Sequence, residues 1–229
     1  MTWRVGLLIP SSNAVMEVDC YRSLPHDATL HASRMHVAEG EIDFQMDDEM
    51  LDRVFIPAAN ALASVYPHIV VFDCAESTVE CRLADRIGDL TGAAALGVRT
   101  AVHHSLREVQ ASRLVVVTPF GEAMNRRVQA DLESEGLTVS AIHGMGLSGF
   151  ETAAVTSDAV YAFVQASIGP RLRGDALLIA GTNVRAMSAL SLLKISYDVP
   201  IVTSNLAVLQ AVKREIEHLR QRELSRLSS

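Results

Sequence analysis

The sequence predicts an α/β fold of two pseudo-symmetric parallel-sheet lobes, with the active-site cleft between them. Three observations predict it. Short apolar runs alternate along the chain with longer amphipathic stretches, which is the pattern of parallel strands covered by helices on both faces. The early part of this pattern recurs later at a nearly constant spacing. The 229 residues are 49% hydrophobic and 21% charged, which supplies one substantial core and excludes disordered or collagen-like chains.

Taken in order, the segments Val5 to Ile9, Ile69 to Phe72, Leu114 to Val117, Leu177 to Ala180 and Ile201 to Val202 read as buried strands. Each is short, apolar and bounded by Pro, Gly, Ser or a polar turn. Between and after them, Glu80 to Leu90, Glu122 to Glu135, Asp158 to Ile168, Arg185 to Ser196 and Leu206 to Arg222 carry apolar residues at three- and four-residue spacings and read as helices.

The repeat is visible in the strands. Gly6 to Pro10 matches Val115 to Pro119 at an offset of 109 residues, and Val70 to Cys74 matches Leu177 to Gly181 at an offset of 107. Gly97 to Thr100 matches Val199 to Thr203 less closely. No Ser/Gly/Pro-rich linker interrupts the chain, so residues 1–229 are expected to form one domain. One lobe would comprise about residues 1–105 plus the C-terminal helix, and the other about residues 106–205.

With 27 acidic and 20 basic residues the formal charge is −7, which leaves no electrostatic footprint for nucleic acid or an anionic membrane. No apolar run approaches the roughly 18 residues of a membrane span. The expected partner is a small solute. The sequence starts Met1-Thr2-Trp3-Arg4 without a basic, then apolar, leader pattern, and its three cysteines, Cys20, Cys74 and Cys81, do not form a disulfide framework. Both features predict a cytoplasmic protein. No metal-ligand spacing such as CxxC or HExxH is present, so no metal site is predicted.

Five loops follow strand ends: Pro10 to Asn13, Cys74 to Thr78, Thr118 to Gly121, Gly181 to Asn183 and Thr203 to Asn205. Hydroxyl and amide side chains before a helix are ordinary caps. Five such loops at strand ends, without a Gly-rich phosphate cradle, point to a ligand bearing a carboxylate or carbonyl. Cys74 is the candidate reactive group because it lies where a strand stops and a helix begins, a setting that favours thiolate. Asp73 and Glu76 would oppose that if they pointed toward it. Glu76 itself reads either as a solvated first-turn acid or as a base within reach of the ligand. Cys81, near Val79, Leu83 and Ala84, is expected in the core, and Cys20 carries no clear signal. His103-His104 reads as a helix start able to enter a cleft or simply to lie exposed. Leu209, Val212, Ile216 and Leu219 recur at 3-4-3 spacing and could cover the core or a partner subunit.

Together, Val5 to Asn13, the Cys74 loop, Val117 to Pro119, Thr182 to Arg185 and Val202 to Asn205 resemble the Asp/Glu racemase superfamily. The similarity is greatest to its maleate cis–trans isomerase and arylmalonate decarboxylase branch and spans Arg4 to about Val212. It implies two lobes with the site between them and no metal or organic cofactor; a homo-oligomer is also expected. In that branch a cysteine follows the equivalent strand of each lobe. Here the first is Cys74, whereas Gly181 fills the second position. Ala75-Glu76-Ser77-Thr78 replaces the usual hydroxyl loop, and Phe120 stands where a tyrosine is usual.

The resemblance therefore implies Cys74 as the catalytic residue, Gly181 as the position facing it, and Ser11, Asn13, Ala75, Glu76, Ser77, Phe120, Thr182, Asn183, Ser204 and Asn205 around the substrate. A racemase needs an acid and a base on opposite faces, which one thiol does not supply. Isomerisation of a maleate-like dicarboxylate needs one nucleophile. Decarboxylation of an arylmalonate-like or other small carboxylic acid needs one proton donor. The third alternative is a non-catalytic protein that binds a small mono- or dicarboxylate.

Overall fold

The computed structural model describes residues 2–36, 48–73 and 77–227, and the backbone alone at 48, 77, 78 and 227. The first lobe holds β1 (Trp3–Pro10), α1 (Met16–Ser23), β2 (Ala28–Met35), α2 (Asp48–Met50), a π-helical segment Leu51–Phe55, α3 (Ile56–Ala63), β3 (Ile69–Phe72), α4 (Ser77–Thr91), β4 (Ala94–Gly97) and α5 (Val98–Glu108). The second holds β5 (Arg113–Thr118), α6 (Glu122–Ser134), β6 (Thr138–Gly144), α7 (Gly149–Ala154), α8 (Ser157–Ile168), β7 (Ala176–Ile179), α9 (Ala186–Ser196) and β8 (Ile201–Thr203). The chain then continues as α10 (Ser204–Leu227). No helix among the described residues is long and apolar enough to cross a membrane.

Two four-stranded parallel sheets result, ordered β2-β1-β3-β4 and β6-β5-β7-β8. The two orders are the same, and the register gives the internal repeat its structural meaning. Gly6 pairs with Val70 in the first sheet, and Val115 pairs with Leu177 in the second. Those are the offsets of 109 and 107 seen in the sequence. The third match is corrected: Phe72 pairs with Gly97 and Ile179 with Thr203, so the equivalent of Gly97 is Thr203. Strands of only four and three residues, β4 and β8, leave too little pattern to fix that register from sequence.

Alternation along the central strands explains why they are apolar throughout. Val5, Leu7 and Ile9 of β1, Ile69 and Val71 of β3, Leu114 and Val116 of β5, and Ala176 and Leu178 of β7 share one buried core with α5 and α10. These helices are therefore covered by both sheets. The opposite faces bury Leu8, Val70 and Phe72 against α3 and α4, and Val115, Val117, Leu177 and Ile179 against α8 and α9. The edge strands β2 and β6 lack continuous apolar runs because their residues are mostly partly or fully exposed.

An ion-pair network joins the helices of the two lobes. Arg99 on α5 donates from Nε to Asp131 on α6 at 2.5 Å and from Nη2 to Glu135 at 2.9 Å. It also lies 3.9 Å from buried Glu80 on α4. His103 Nε2 is 2.8 Å from the other Asp131 oxygen. Burial pushes the Asp131 carboxyl up, but the hydrogen bonds from His103 and Arg99 outweigh it and hold the group below the ordinary carboxylate range. The stability this contributes is present above the unfolded-state pKa and is lost as pH falls through the lower folded-state value. Asp131→Asn is therefore expected to reduce stability at neutral pH and to flatten the loss of stability on acidification, as measured by urea midpoints from pH 7 to pH 3. Equal losses for parent and variant across that range would exclude this role.

Candidate functional site

Because both sheets are parallel, each presents its strand carboxyl ends along one edge, and the loops that follow meet there. At the end of β1 the chain turns through Ser11 and Ser12 to buried Asn13. The Asn13 side-chain oxygen accepts from Val15 N–H at 3.1 Å and Met16 N–H at 3.0 Å, which organises the entry to α1. Its Nδ2 donates across to Thr182 Oγ1 at 3.0 Å. Thr182 in turn donates to Asp73 Oδ2 at 2.9 Å. Asn13, Thr182 and Asp73, from loops of both lobes, thus form one hydrogen-bonded chain.

A second set lies beside it. Asn205, 3% exposed at the start of α10, donates from Nδ2 to Asp19 Oδ2 at 2.8 Å and to the Thr182 carbonyl at 3.1 Å. Its Oδ1 has no hydrogen-bond partner among the described residues. Ser204 Oγ accepts from Gly181 N–H at 3.1 Å. Asn183 is used to brace the loops: Nδ2 donates to the carbonyls of Ser12 and Gly149, and Oδ1 accepts from Ala14 N–H. Both amide hydrogens are thereby engaged by protein, and Asn183 acts as a cross-lobe clasp. Ser11 is exposed, with its N–H on the Met35 carbonyl. Phe120 is partly buried after β5, with its N–H on Thr118 Oγ1 at 3.1 Å.

Cys74, Ala75 and Glu76 lie outside the described residues, as does the side chain of Ser77. Their neighbours locate the strand end: Asp73 directly precedes Cys74, and Thr182, which it accepts from, directly follows Gly181. Gly181 has φ +114°, and a Cβ there would sit 2.9 Å from Pro119 Cδ, 3.1 Å from Pro119 Cγ and 3.3 Å from Val184 Cγ2. Backbone conformation and space both favour glycine at the second-lobe position.

The other cysteines separate clearly. Cys20 is buried on α1, and desolvation, followed by the charges of Asp19 and Glu17, pushes its thiol up to about 12. Cys81 is exposed, contrary to the core expectation. Val79, Leu83 and Ile87 repeat every four residues on the buried face of α4, and residue 81 falls on the opposite side. His103 and His104 lie in the middle of α5 and not at a helix start: His103 is buried on Asp131, whereas His104 is exposed, as one of the two readings has it, and lies 3.5 Å from Glu108.

Two carboxyls emerge that the sequence reading did not assign to the site. Burial pushes the Asp73 carboxyl up, the Thr182 hydrogen bond pulls it down, and the negative charge of Glu80 pushes it up again, leaving it raised overall. Desolvation likewise raises Asp19, against the lowering effects of Asn205, Arg22 and Arg185. Asp73 was visible in the sequence as the residue before Cys74, but only its cross-lobe bond gives it a place in the site.

The model of the arylmalonate decarboxylase family matches residues 5–227. The chain belongs to this family. The branch recognised from the strand-end loops is therefore the right one, and the two-lobed α/β architecture is that of other solved structures. A cysteine-to-alanine mutant of the maleate isomerase of Pseudomonas putida S16, with maleate, superposes with a TM-score of 0.80 at 20% identity, covering 95% of this chain and 93% of that one. A cysteine-to-serine mutant of the Nocardia farcinica maleate cis–trans isomerase, carrying a covalently bound succinylcysteine intermediate, superposes with a TM-score of 0.79 at 19% identity, covering 95% and 94%. At the sequence level, this family member is 28% identical to maleate isomerase of Nocardia farcinica over 156 residues, which is 60% of this chain and 59% of that protein. The match thus spans less than two thirds of the relative's length.

Proposed function

We propose that the chain is a cofactor-independent, cysteine-dependent isomerase of a maleate-like small dicarboxylate, with Cys74 as nucleophile. The observation that carries this reading is the asymmetry of the cleft. Hydroxyl, amide and carboxyl groups from both lobes converge on Thr182, while Gly181 presents no side chain and has no room for one. A site with one thiol favours chemistry that needs one nucleophile. The thiolate adds to one alkene carbon, the resulting single bond rotates, and expulsion of the thiolate releases the trans diacid. The succinylcysteine in the Nocardia farcinica mutant is the product of such an addition. Asn13, whose Nδ2 makes one hydrogen bond among the described residues, Ser204 with its hydroxyl, and Asn205 are the proposed substrate contacts, together with Ser11, Phe120 and the Ala75 to Ser77 backbone.

Decarboxylation of a small malonate is the second reading, favoured by the family to which the chain belongs. Incubation with maleate, followed at the cis-enoate absorbance and by proton NMR, tests the first reading. Release of carbon dioxide from an arylmalonate without any change in maleate would replace it with the second. Ligand binding with neither reaction would leave a small-acid binding protein. A homo-oligomer in the cytoplasm belongs to the same proposal; light scattering on the purified protein tests the assembly.

A further inference from the structure

We propose that Asp73 is the acid/base group that exchanges a proton with the substrate carbon next to the one bonded to sulfur, in the place left without a second thiol by Gly181. This rests on the isomerase reading above. Three observations carry it. The Asp73 carboxyl extends from the end of β3 to the second-lobe loop, where Thr182, the residue after Gly181, donates to it at 2.9 Å. Asn13 fixes that hydroxyl from behind at 3.0 Å, so the carboxyl is held through its Oδ2 by a two-step relay. Asp73 also keeps part of its surface accessible, unlike Thr182 and Asn13, which are buried.

A carboxyl whose neutral form is favoured by burial supplies what the addition step needs. As the C–S bond forms, the alkene π pair moves to the neighbouring carbon and is delocalised into the adjoining carboxylate as an enediolate. The Asp73 O–H proton passes to that carbon, giving a succinyl thioether and an Asp73 carboxylate. After rotation about the C–C bond, the carboxylate takes a proton back. The C–H electron pair re-forms the π bond, the C–S bond breaks, and the thiolate leaves. No electrons are gained or lost overall, and no further reactant is consumed.

Desolvation favours the neutral form of Asp73, and so does Glu80, the described charged group whose field reaches it from α4; the Thr182 hydrogen bond opposes both. Glu80 is itself held by Thr100, at 2.8 Å to its hydroxyl and 3.2 Å to its N–H, and lies 3.9 Å from Arg99. Cys74 and Glu76, next in the chain, lie outside the described residues.

The test uses the full-length protein with maleate in water and in deuterium oxide. Asp73→Asn keeps the shape and an oxygen to accept from Thr182 but carries no transferable acid proton. It is expected to lower kcat by about 10²- to 10⁴-fold, the usual range for a general acid or base, with KM changed less than about threefold. It should also remove one limb of a bell-shaped pH profile and cut deuterium incorporation into the trans product. Thr182→Val provides a second variant. It deletes the hydrogen bond that lowers the Asp73 pKa, so the Asp73 limb should move to higher pH. Unchanged kcat, pH profile and deuterium incorporation in folded Asp73→Asn, with Cys74→Ala inactive, would overturn this proposal and leave the isomerase reading standing. If Asp73→Asn does not fold, a Thr182→Val profile with no shifted limb would overturn it instead. A parent protein that neither turns over maleate nor is protected by it from alkylation at Cys74 would sink both.

Discussion

In the proposed reaction, Cys74→Ala is expected to lower turnover of maleate by about three orders of magnitude or more, because it removes the atom assigned to form the bond to substrate. Cys20→Ala and Cys81→Ala should retain parental turnover. Cys20 is buried with a thiol pushed up to about 12, so it supplies almost no thiolate at neutral pH. Cys81 is exposed on α4 and available to alkylating reagents, which gives the experiment an internal control. Substoichiometric iodoacetamide followed by peptide mass spectrometry should label Cys74 ahead of Cys81, and maleate should protect Cys74 alone. Equal losses of turnover in all three variants would point to packing, and preferential labelling of Cys81 would argue against an activated thiol at position 74.

The second large effect is expected at Gly181. Restoring a cysteine there would be the direct way to give the cleft a thiol on each side, but the backbone opposes it. A φ of +114° is unfavourable for any side chain, and the new Cβ would meet the Pro119 ring at 2.9 Å. A proline ring is not the far end of a flexible chain, so relief requires movement of the β5 to α6 connection. Gly181→Cys is therefore expected to cost about 1–3 kcal/mol of stability and to lower isomerase activity without introducing α-carbon exchange on a chiral acid. Urea midpoints and deuterium exchange measure the two halves of this expectation. A variant of parental stability that racemises a carboxylic acid would show that the loop accepts a second thiol and that the residue lost at 181 is all that separates this chain from a racemase.

The strands that could be read from sequence were those buried on both faces. Leu114 to Val117 and Leu177 to Ile179 are apolar at every position because helices cover each side, whereas β2 and β6 carry residues such as His31, Arg34 and His143 on partly exposed edges. Helix α1 was missed because its eight residues include Glu17, Asp19 and Arg22 and give little apolar stripe. In the site, Asn13, Thr182, Ser204 and Asn205 were legible as polar residues at strand ends. What could not be read was how they divide the work. Asn183 and Thr182 have the same kind of position, yet one spends its amide on backbone groups of Ser12, Ala14 and Gly149, and the other links two side chains. Asp73 meets Thr182, and Asp19 meets Asn205, only through the fold, across more than 100 residues of chain, which a local sequence pattern does not contain.

The placement of α5 and α10 between the two sheets makes the repeated halves mutually dependent despite their shared topology. A fragment ending at Glu108 would keep a complete sheet but leave Ala101, Val102 and Leu106 without the apolar cover that Leu114, Val116 and α10 provide. The complementary fragment would carry α10 with no first sheet to receive Val208, Val212 and Ile216. Cutting the chain at Gln110 would consequently yield two adhesive halves that regain solubility only on meeting each other, and the cleft would reappear with their union. In this architecture, symmetry records how the chain is arranged, while the shared interior ties its two halves together.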